Sequence, residues 1–377
     1  MELKEKLIEA FAAFENSLNG FKDSSFHFAR KEAIGDFKNK GIPTIKNEEW
    51  KYTSLSPLEK IEFSLQTAPV LTKQEVSKYL FSQFEANHFV FVNGVLQLEL
   101  SAYEAGAKDF TVKNLRDLAN EEGFKTLIAP FRKYRRYNND GLISLNEAYA
   151  QNGIFIEIIK NKVIERPIVL SFINDTRAGN IISMPRVFVK VNENAQVQIV
   201  ENYIKLGEGT SFTNVIIEYI QEENSVLNYY KIQNEGLGSF QVGTTQVNQE
   251  GRCVFDAVTV SLSGEVMRNN LNVSISTPYA EAHLYGLSFL NGKDHVDNHT
   301  VVDHEVPNCE SNELYKSILD DQATAVFNGK IFVRQDAQKT NAYQSSKNIL
   351  LSNEANAFSK PQLEIWADDV KCSHGHA

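Results

Sequence analysis

From about residue 154 the chain repeats itself, and this constrains its fold more than any other feature. The segments ENAQVQIVE, ENSVLNYYK, EGRCVFDAV, YAEAHLYGL, QATAVFNGK and EANAFSKPQ align on Ala195, Ser225, Arg252, Ala280, Ala323 and Ala355, at intervals of 30, 27, 28, 43 and 32 residues. The last three copies share an Ala-x-Ala pattern, and each has Gly286, Gly329 or Pro361 six positions after its first alanine. Short alternating strands run before and between the copies, as in RVFVKV and VIIEYI. A quasi-period near thirty in such sequence predicts a solenoid whose strands stack coil on coil, with small residues at equivalent tight corners. Ala280, Ala323 and Ala355 are expected at those equivalent corners. An antiparallel sandwich or barrel with strands of even length is the competing reading, but it supplies no reason for recurrent Ala-x-Ala corners. The 43-residue interval reads as one coil carrying an insertion, DHVDNHTVVDHEVPNCES, residues 294–311.

The first part, residues 1–153, is mixed. Leu3, Leu7, Phe11, Phe14 and Leu18 recur at helical spacing, with Gly20 as a stop. A second helix is expected over about 27–39, then an irregular aromatic connector, NEEWKYTSLSP, then a helical pattern in TKQEVSKYLFSQF. HFVFVNGVLQLEL reads as a hairpin turned by Asn93-Gly94. LISLNEAYAQNG, 142–153, reads as a last helix stopped by Gly153. Residues 154–377 would then form the β core, within which CESNELYKSIL is ambiguous between helix and strand.

Net charge is −10, which argues against a nucleic-acid partner. The one basic run, RKYRR at 132–136, reads as a solvated face or a contact for an acidic partner. No apolar run is long enough to span a membrane. The first twenty residues carry charges throughout and a helical period, unlike a signal peptide. With only Cys253, Cys309 and Cys372, far apart, no disulfide framework is expected, and the cytoplasm is the expected compartment.

Two stretches carry chemistry-bearing side chains. The first is the 294–311 segment, with His295, His299, His304 and Cys309 among Asp297, Asp303 and Glu305. Its spacing fits no zinc-finger pattern. On a strand, His299 and Asp303 share a side and His304 points the other way. The second is the terminal ADDVKCSHGHA. On a strand, Cys372, His374 and His376 share one side, about 6.6 Å apart per step of two. Neighbours could share one metal ion, but the remaining ligands would have to come from elsewhere. The bland reading makes Cys372 a small buried hydrophobe and the histidines surface residues. No phosphate-binding GxxxxGK[ST], GxSxG or GxGxxG occurs.

The run from Val326 to Gly375, ending in KCSHG, closely resembles the SufD family, a scaffold component of Suf iron–sulfur cluster assembly. NEEWKYTSL (47–55), LISLNEAYAQNGIFIEI (142–158) and DNHTVVDHEVPNCESNELYKSIL (297–319) look like further family blocks. The resemblance implies a right-handed parallel β-helix preceded by an N-terminal helical region. It implies a scaffold without turnover of its own, paired with a SufB-like subunit through the ends of their β-helices, with both bound to the SufC ATPase. His374 would lie at that interface and be needed for nascent cluster assembly, with Cys372 close to it. Both would be metal ligands shared with the partner chain. The cargo would be transient iron or an iron–sulfur cluster, with iron, sulfur and flavin left open as direct ligands. A homodimer is the alternative pairing for the isolated chain. Family members continue past CSHG into a mostly helical tail that docks SufC, so weak SufC binding is expected of a chain ending here. His376 replaces a commonly small residue and is assigned no ligand role.

Two other readings stay open at this point. Many β-helices act on polysaccharides, and a zinc-binding interaction module would also use such cysteines and histidines. The first is typically secreted and lines an exposed groove with charged residues, whereas here the reactive residues sit at the end of the solenoid. A structural zinc would survive purification.

Overall fold

The computed structural model describes residues 2–17, 25–65, 71–103, 108–118, 132–150 and 153–377; the expected stop at Gly20 lies outside them. The core is a parallel β-solenoid of about eight turns, preceded by a short helical and mixed region. Its strands are β1 (Ser64–Leu65), β2 (Asn87–Val92), β3 (Val95–Ala102), β4 (Phe110–Asn114), β5 (Gly153–Ile158), β6 (Ile168–Asp175) and β7 (Ile181–Ser183). There follow β8 (Arg186–Val191), β9 (Gln196–Leu206), β10 (Ser211–Gln221), β11 (Val226–Gln249), β12 (Val254–Ile275), β13 (Glu281–Leu290) and β14 (His295–His304). The last are β15 (Glu310–Leu319), β16 (Thr324–Val333), β17 (Asn341–Leu350), β18 (Asn356–Ser359), β19 (Gln362–Ile365) and β20 (Lys371–His376). The ambiguous CESNELYKSIL is thus strand.

Each coil is flattened into two sheets. The first stacks β6, β9, the front halves of β11 and β12, then β13, β15, β17 and β20 in parallel register. The second stacks β5, β8, β10, the rear halves of β11 and β12, then β14, β16 and the β18–β19 pair. The burial patterns differ as the two environments demand. On β13 and β17 burial largely alternates, because the outer side of the first sheet meets solvent. On β10 all positions are buried, because the N-terminal region covers the outer side of the second sheet. Strands buried on both sides lose the period-2 signal and read as continuous apolar runs.

One corner of the coil explains the repeat. Asn161, Asn194, Asn224 and Asn308 hold left-handed φ values of 63°, 57°, 54° and 62°, a conformation asparagine tolerates better than most residues. Their side chains form a ladder, with Asn194 Nδ2 donating to Asn161 Oδ1 at 2.8 Å and Asn224 Nδ2 to Asn194 Oδ1 at 3.2 Å. After Asn194, Asn224 and Asn308, and after Tyr279, which holds the same conformation at φ 66°, a small residue turns inward, so Ala195, Ser225, Cys309 and Ala280 are fully buried. In the third copy the buried position is Cys253; Arg252, with which the sequence aligned, is exposed.

The expected equivalence of Ala280, Ala323 and Ala355 is wrong. All three are buried, but Ala280 stacks under Cys309 at the asparagine corner, whereas Ala323 and Ala355 stack at the opposite corner. The chain takes 29 residues from Ala280 to Cys309 and 14 more to cross to Ala323. The 43-residue interval is therefore one coil plus one crossing, and 294–311 is no insertion but the ordinary strand β14 with its following turn. Ala-x-Ala recurs at both corners because both are tight. Replacing Ala323 with Phe is expected to overpack its corner against Leu290, Leu319 and Ala355 and to cost about 1–3 kcal/mol. A urea-unfolding midpoint unchanged from the parent would show that this corner has room.

In the N-terminal region, α1 (Leu3–Ser17) and α2 (Ser25–Lys40) place Leu3, Leu7, Phe11 and Phe37 against the second sheet's outer side through Trp50, Leu145 and Tyr149. The pattern at 72–84 yields only the short α3 (Lys73–Ser77), opened by a capping box between Thr72 and Glu75. α4 is Leu115–Leu118. The expected 88–100 hairpin forms as β2 and β3, with Asn93 and Gly94 at φ 49° and 80°. A side chain at Gly94 would also strike Met184 N at 2.9 Å. α5 (Gly141–Tyr149) is capped by Asp140, whose side chain accepts from the N–H groups of Leu142 and Ile143. Gly153 is no helix stop: α5 ends at Tyr149, and Gly153 opens β5, where it passes close to Leu115 and Arg186.

Candidate functional site

KCSHG lies on β20, which pairs on one side with β17 and on the other with no strand among the described residues. It is the outermost strand of the first sheet and extends to Ala377, whose N–H donates to Ser346 O at 3.0 Å. An unpaired strand edge without proline or a bulge is a template for another strand. Cys372, His374 and His376 stand over Ala342, Gln344 and Ser346, all three buried, so their side of the strand is the inner one. Cys372 is half-buried against the main core, while His374 and His376 are exposed because no further coil covers them. Burial pushes the Cys372 thiol up, against a smaller opposite pull from the Ala342 backbone. In the chain alone it is therefore a thiol, and needs a neighbouring cation or metal to become a ligand.

The 294–311 side chains are not brought together. Among the described residues no group of three or more His, Cys, Asp and Glu is placed to hold a metal ion. His304 points inward, where Nε2 lies 2.9 Å from Ser311 Oγ and burial lowers its pKa to about 4. Cys309 fills the asparagine corner, its Sγ 3.5 Å from the carbonyls of Thr277 and Pro307. His295, Asp297 and His299 project from the outer side of the second sheet into the NEEWKYT connector. Thr53 Oγ1 is 3.0 Å from His295 Nε2, and Asp297 Oδ1 is 2.9 Å from His299 Nε2. Arg268, 2% exposed, donates to Asp297 Oδ2 and to Glu49 O, both at 2.7 Å, and stacks 4.0 Å from the Trp50 ring. Burial raises the Asp297 pKa, but His299 and Arg268 outweigh it and hold the carboxyl below its usual range. Glu49, hydrogen-bonded to His299, falls to about 2 despite partial burial. These histidines form a structural clamp, which sequence spacing alone could not separate from a metal motif.

RKYRR is a partly solvated face, with Arg132 and Arg136 exposed, whose cations also pair with acidic groups of the chain itself. Arg135 Nε donates to Glu147 Oε1 at 2.9 Å, and Tyr134 OH donates to the same oxygen at 2.6 Å. Arg136 reaches Asp303 at 3.1 Å and Lys133 reaches Glu250 at 2.9 Å. The acidic partners are the chain's own.

Comparison with known proteins agrees with the resemblance. Residues 1–170 match the family model of the SufBD protein N-terminal region, and residues 172–377 match that of the SUF system FeS cluster assembly, SufBD core domain. An iron–sulfur cluster assembly SufBD family protein of Synechocystis is 29% identical over 366 residues, 95% of this chain and 80% of that protein. The chloroplastic protein ABCI7 of Arabidopsis thaliana is 30% identical over 386 residues, 98% of this chain and 79% of that one. The iron–sulfur cluster assembly protein SufD of Escherichia coli is 27% identical over 343 residues, 89% and 76% of the two chains. Since the two family models between them span both the helical region and the solenoid, the chain belongs to the SufBD family of the Suf iron–sulfur cluster assembly system.

Proposed function

We propose that this chain is a non-catalytic scaffold subunit in iron–sulfur cluster assembly, paired through β20 with a SufB-like subunit and working with a SufC-like ATPase. The observation that carries the reading is the position of KCSHG on the unpaired edge at the open end of the solenoid. A partner strand added there would satisfy the free backbone groups of β20. It would also bring its own side chains to the side that Cys372 and His374 share. Two side chains cannot complete a tetrahedral iron site, so the partner supplies the rest. Iron or a nascent cluster is the cargo held between the chains, and the thiol of Cys372 ionises as the metal arrives. No helix among the described residues is long and apolar enough to cross a membrane. We place the protein in the cytoplasm, where three free cysteines stay reduced.

Co-expression with SufB-like and SufC-like subunits tests this. The expected result is a complex that carries iron and sulfide, while the chain purified alone carries neither. A full complement of cluster on the chain alone would overturn the shared-site reading, and failure to co-purify would overturn the pairing.

A further inference from the structure

The inner side of the first sheet changes character over its last coils. Moving outward along one register, the inward residues are Ala257, Leu284, Glu313, Gln344 and His374. The first two are apolar, as a solenoid interior should be, and the last three are polar up to the open end. Glu313 and Gln344 are each 3% exposed. Thr300 Oγ1, on the opposite sheet, donates to one oxygen of Glu313. The other oxygen, Oε1, has no hydrogen-bond partner among the described residues, and neither has Gln344 Oε1. Gln344 is anchored by its amide, which donates to Gln362 O at 3.2 Å. Its free oxygen lies over Gly329, where a Cβ would stand only 2.2 Å away. Thr300 and Gly329 are register neighbours on the second sheet. The two side chains therefore reach across the interior at the same position, one coil apart. Paired strands stand about 4.8 Å apart. One donor making two hydrogen bonds of about 2.8 Å spans nearly that distance.

The charged and titratable groups around Glu313 are few. Leu284 lies beneath it and Gln344 above; β14 presents Thr300 and His304, β16 presents Phe327 and Gly329, and its own strand presents Ser311 and Tyr315. No lysine or arginine is among them. His304 is kept neutral by burial, and burial also raises the Tyr315 hydroxyl. Burial, opposed only by the Thr300 hydrogen bond, pushes the Glu313 carboxyl up to about 7. Glu313 is thus the one inward group of this cluster able to change charge near neutrality.

We propose that the last coils enclose a proton-exchange site, in which one water bridges Glu313 Oε1 and Gln344 Oε1 and the carboxyl exchanges its proton with solvent along the inner column that opens at His374. The carboxyl O–H bond breaks, the proton passes to the bridging water and on to bulk, and a carboxylate remains; no electron moves. A cation arriving at the open end favours that carboxylate, so the interior supplies a negative charge two coils below the terminal strand. The site stands whether or not His374 holds iron.

Infrared difference spectra of the full chain test it, using Glu313→Gln and Gln344→Leu. The parent is expected to show a buried protonated-carboxyl band that disappears as pH rises through about 7. Glu235 and Glu218, also buried and raised to about 7 and about 8, contribute to the same region, so Glu313→Gln should remove one carboxyl's share of the band and leave theirs. Gln344→Leu should keep its midpoint but exchange the proton for deuterium at least about tenfold more slowly. Stability gives a second readout. The folded-state pKa lies above the unfolded one, so the folded chain binds the proton more tightly. Parent stability should then fall as pH rises from about 4.5 to about 7, and Glu313→Gln should remove that part of the fall. A band undiminished in Glu313→Gln, or an identical pH dependence of stability, would overturn the site. Unchanged exchange in Gln344→Leu would overturn the route.

Discussion

His374→Ala is expected to abolish cluster assembly in a cell that depends on this pathway, while the melting temperature and pairing with the SufB-like subunit barely change. The imidazole is exposed and makes no hydrogen bond with the described residues, and β20 is held to β17 by backbone bonds that alanine retains. Surface substitutions of this kind usually stay within about 0.5 kcal/mol. The chemical cost is of another order, because the ring is the better exposed of the two candidate ligands and the neighbouring thiol is protonated in the chain alone. Growth of the complemented strain, the melting temperature of the purified variant and its co-purification with the partner separate the cases. A purely structural histidine would lose stability or pairing first, with assembly falling in proportion. Normal assembly by the variant would remove His374 from the site.

Arg268→Ala should be among the most destabilising single changes in the solenoid, at about 3–5 kcal/mol, because it leaves the Asp297 carboxylate buried without its cation. It also removes the cation–π contact to Trp50 and the bond to Glu49 O. Urea unfolding at neutral pH measures the loss. The pH dependence provides a signature. Asp297 is depressed in the folded state, so its contribution is present above the ordinary carboxylate range and is lost as pH falls through the folded value. The difference between parent and variant should therefore shrink in acid. A variant within 1 kcal/mol of the parent, by the ordinary scale of surface changes, would mean that the connector does not depend on this pair.

How far the sequence could be read follows from which signals a solenoid leaves behind. Asn93-Gly94 is visible because the left-handed conformation restricts residue choice; the asparagine corner obeys the same restriction, but the repeat alignment reads it only through the small residues beside it. That Cys372 and His374 share one side of a strand is legible from their spacing of two. The 43-residue interval misled because the two corners of a flattened coil both demand small residues, so Ala-x-Ala marks a corner without saying which one. Gly153 misled because a glycine admitted for close packing looks the same as one admitted for positive φ. Glu313 was not legible at all. On β15 the polar Ser311 and Glu313 turn inward while Leu314 and Ile318 turn outward, against the rule that the apolar side is the buried one. That inversion is also why CESNELYKSIL read ambiguously. Only the register against Leu284 and Gln344 reveals it.

The connector from Glu48 to Thr53 crosses the strands of the second sheet along the stacking direction and grips one layer after another. It holds Arg268 and Asp297 on β12 and β14, Asn328 on β16 at 3.2 Å from Glu49, and Lys360 beyond β18 at 2.6 Å from Glu48. Tyr52 stacks on Phe358 of β18 at 4.5 Å. Such a segment acts as a ruler. Solenoids can in principle gain or lose whole repeats at little cost, because each coil meets only its neighbours. Here a coil inserted or deleted between residues 268 and 360 would shift later grip points by one strand spacing, about 4.8 Å, and the connector could not follow. The number of coils in this span is thereby locked, and with it the height of the terminal strand above the helical region. Changes in solenoid length within the lineage should be confined to coils the connector does not touch.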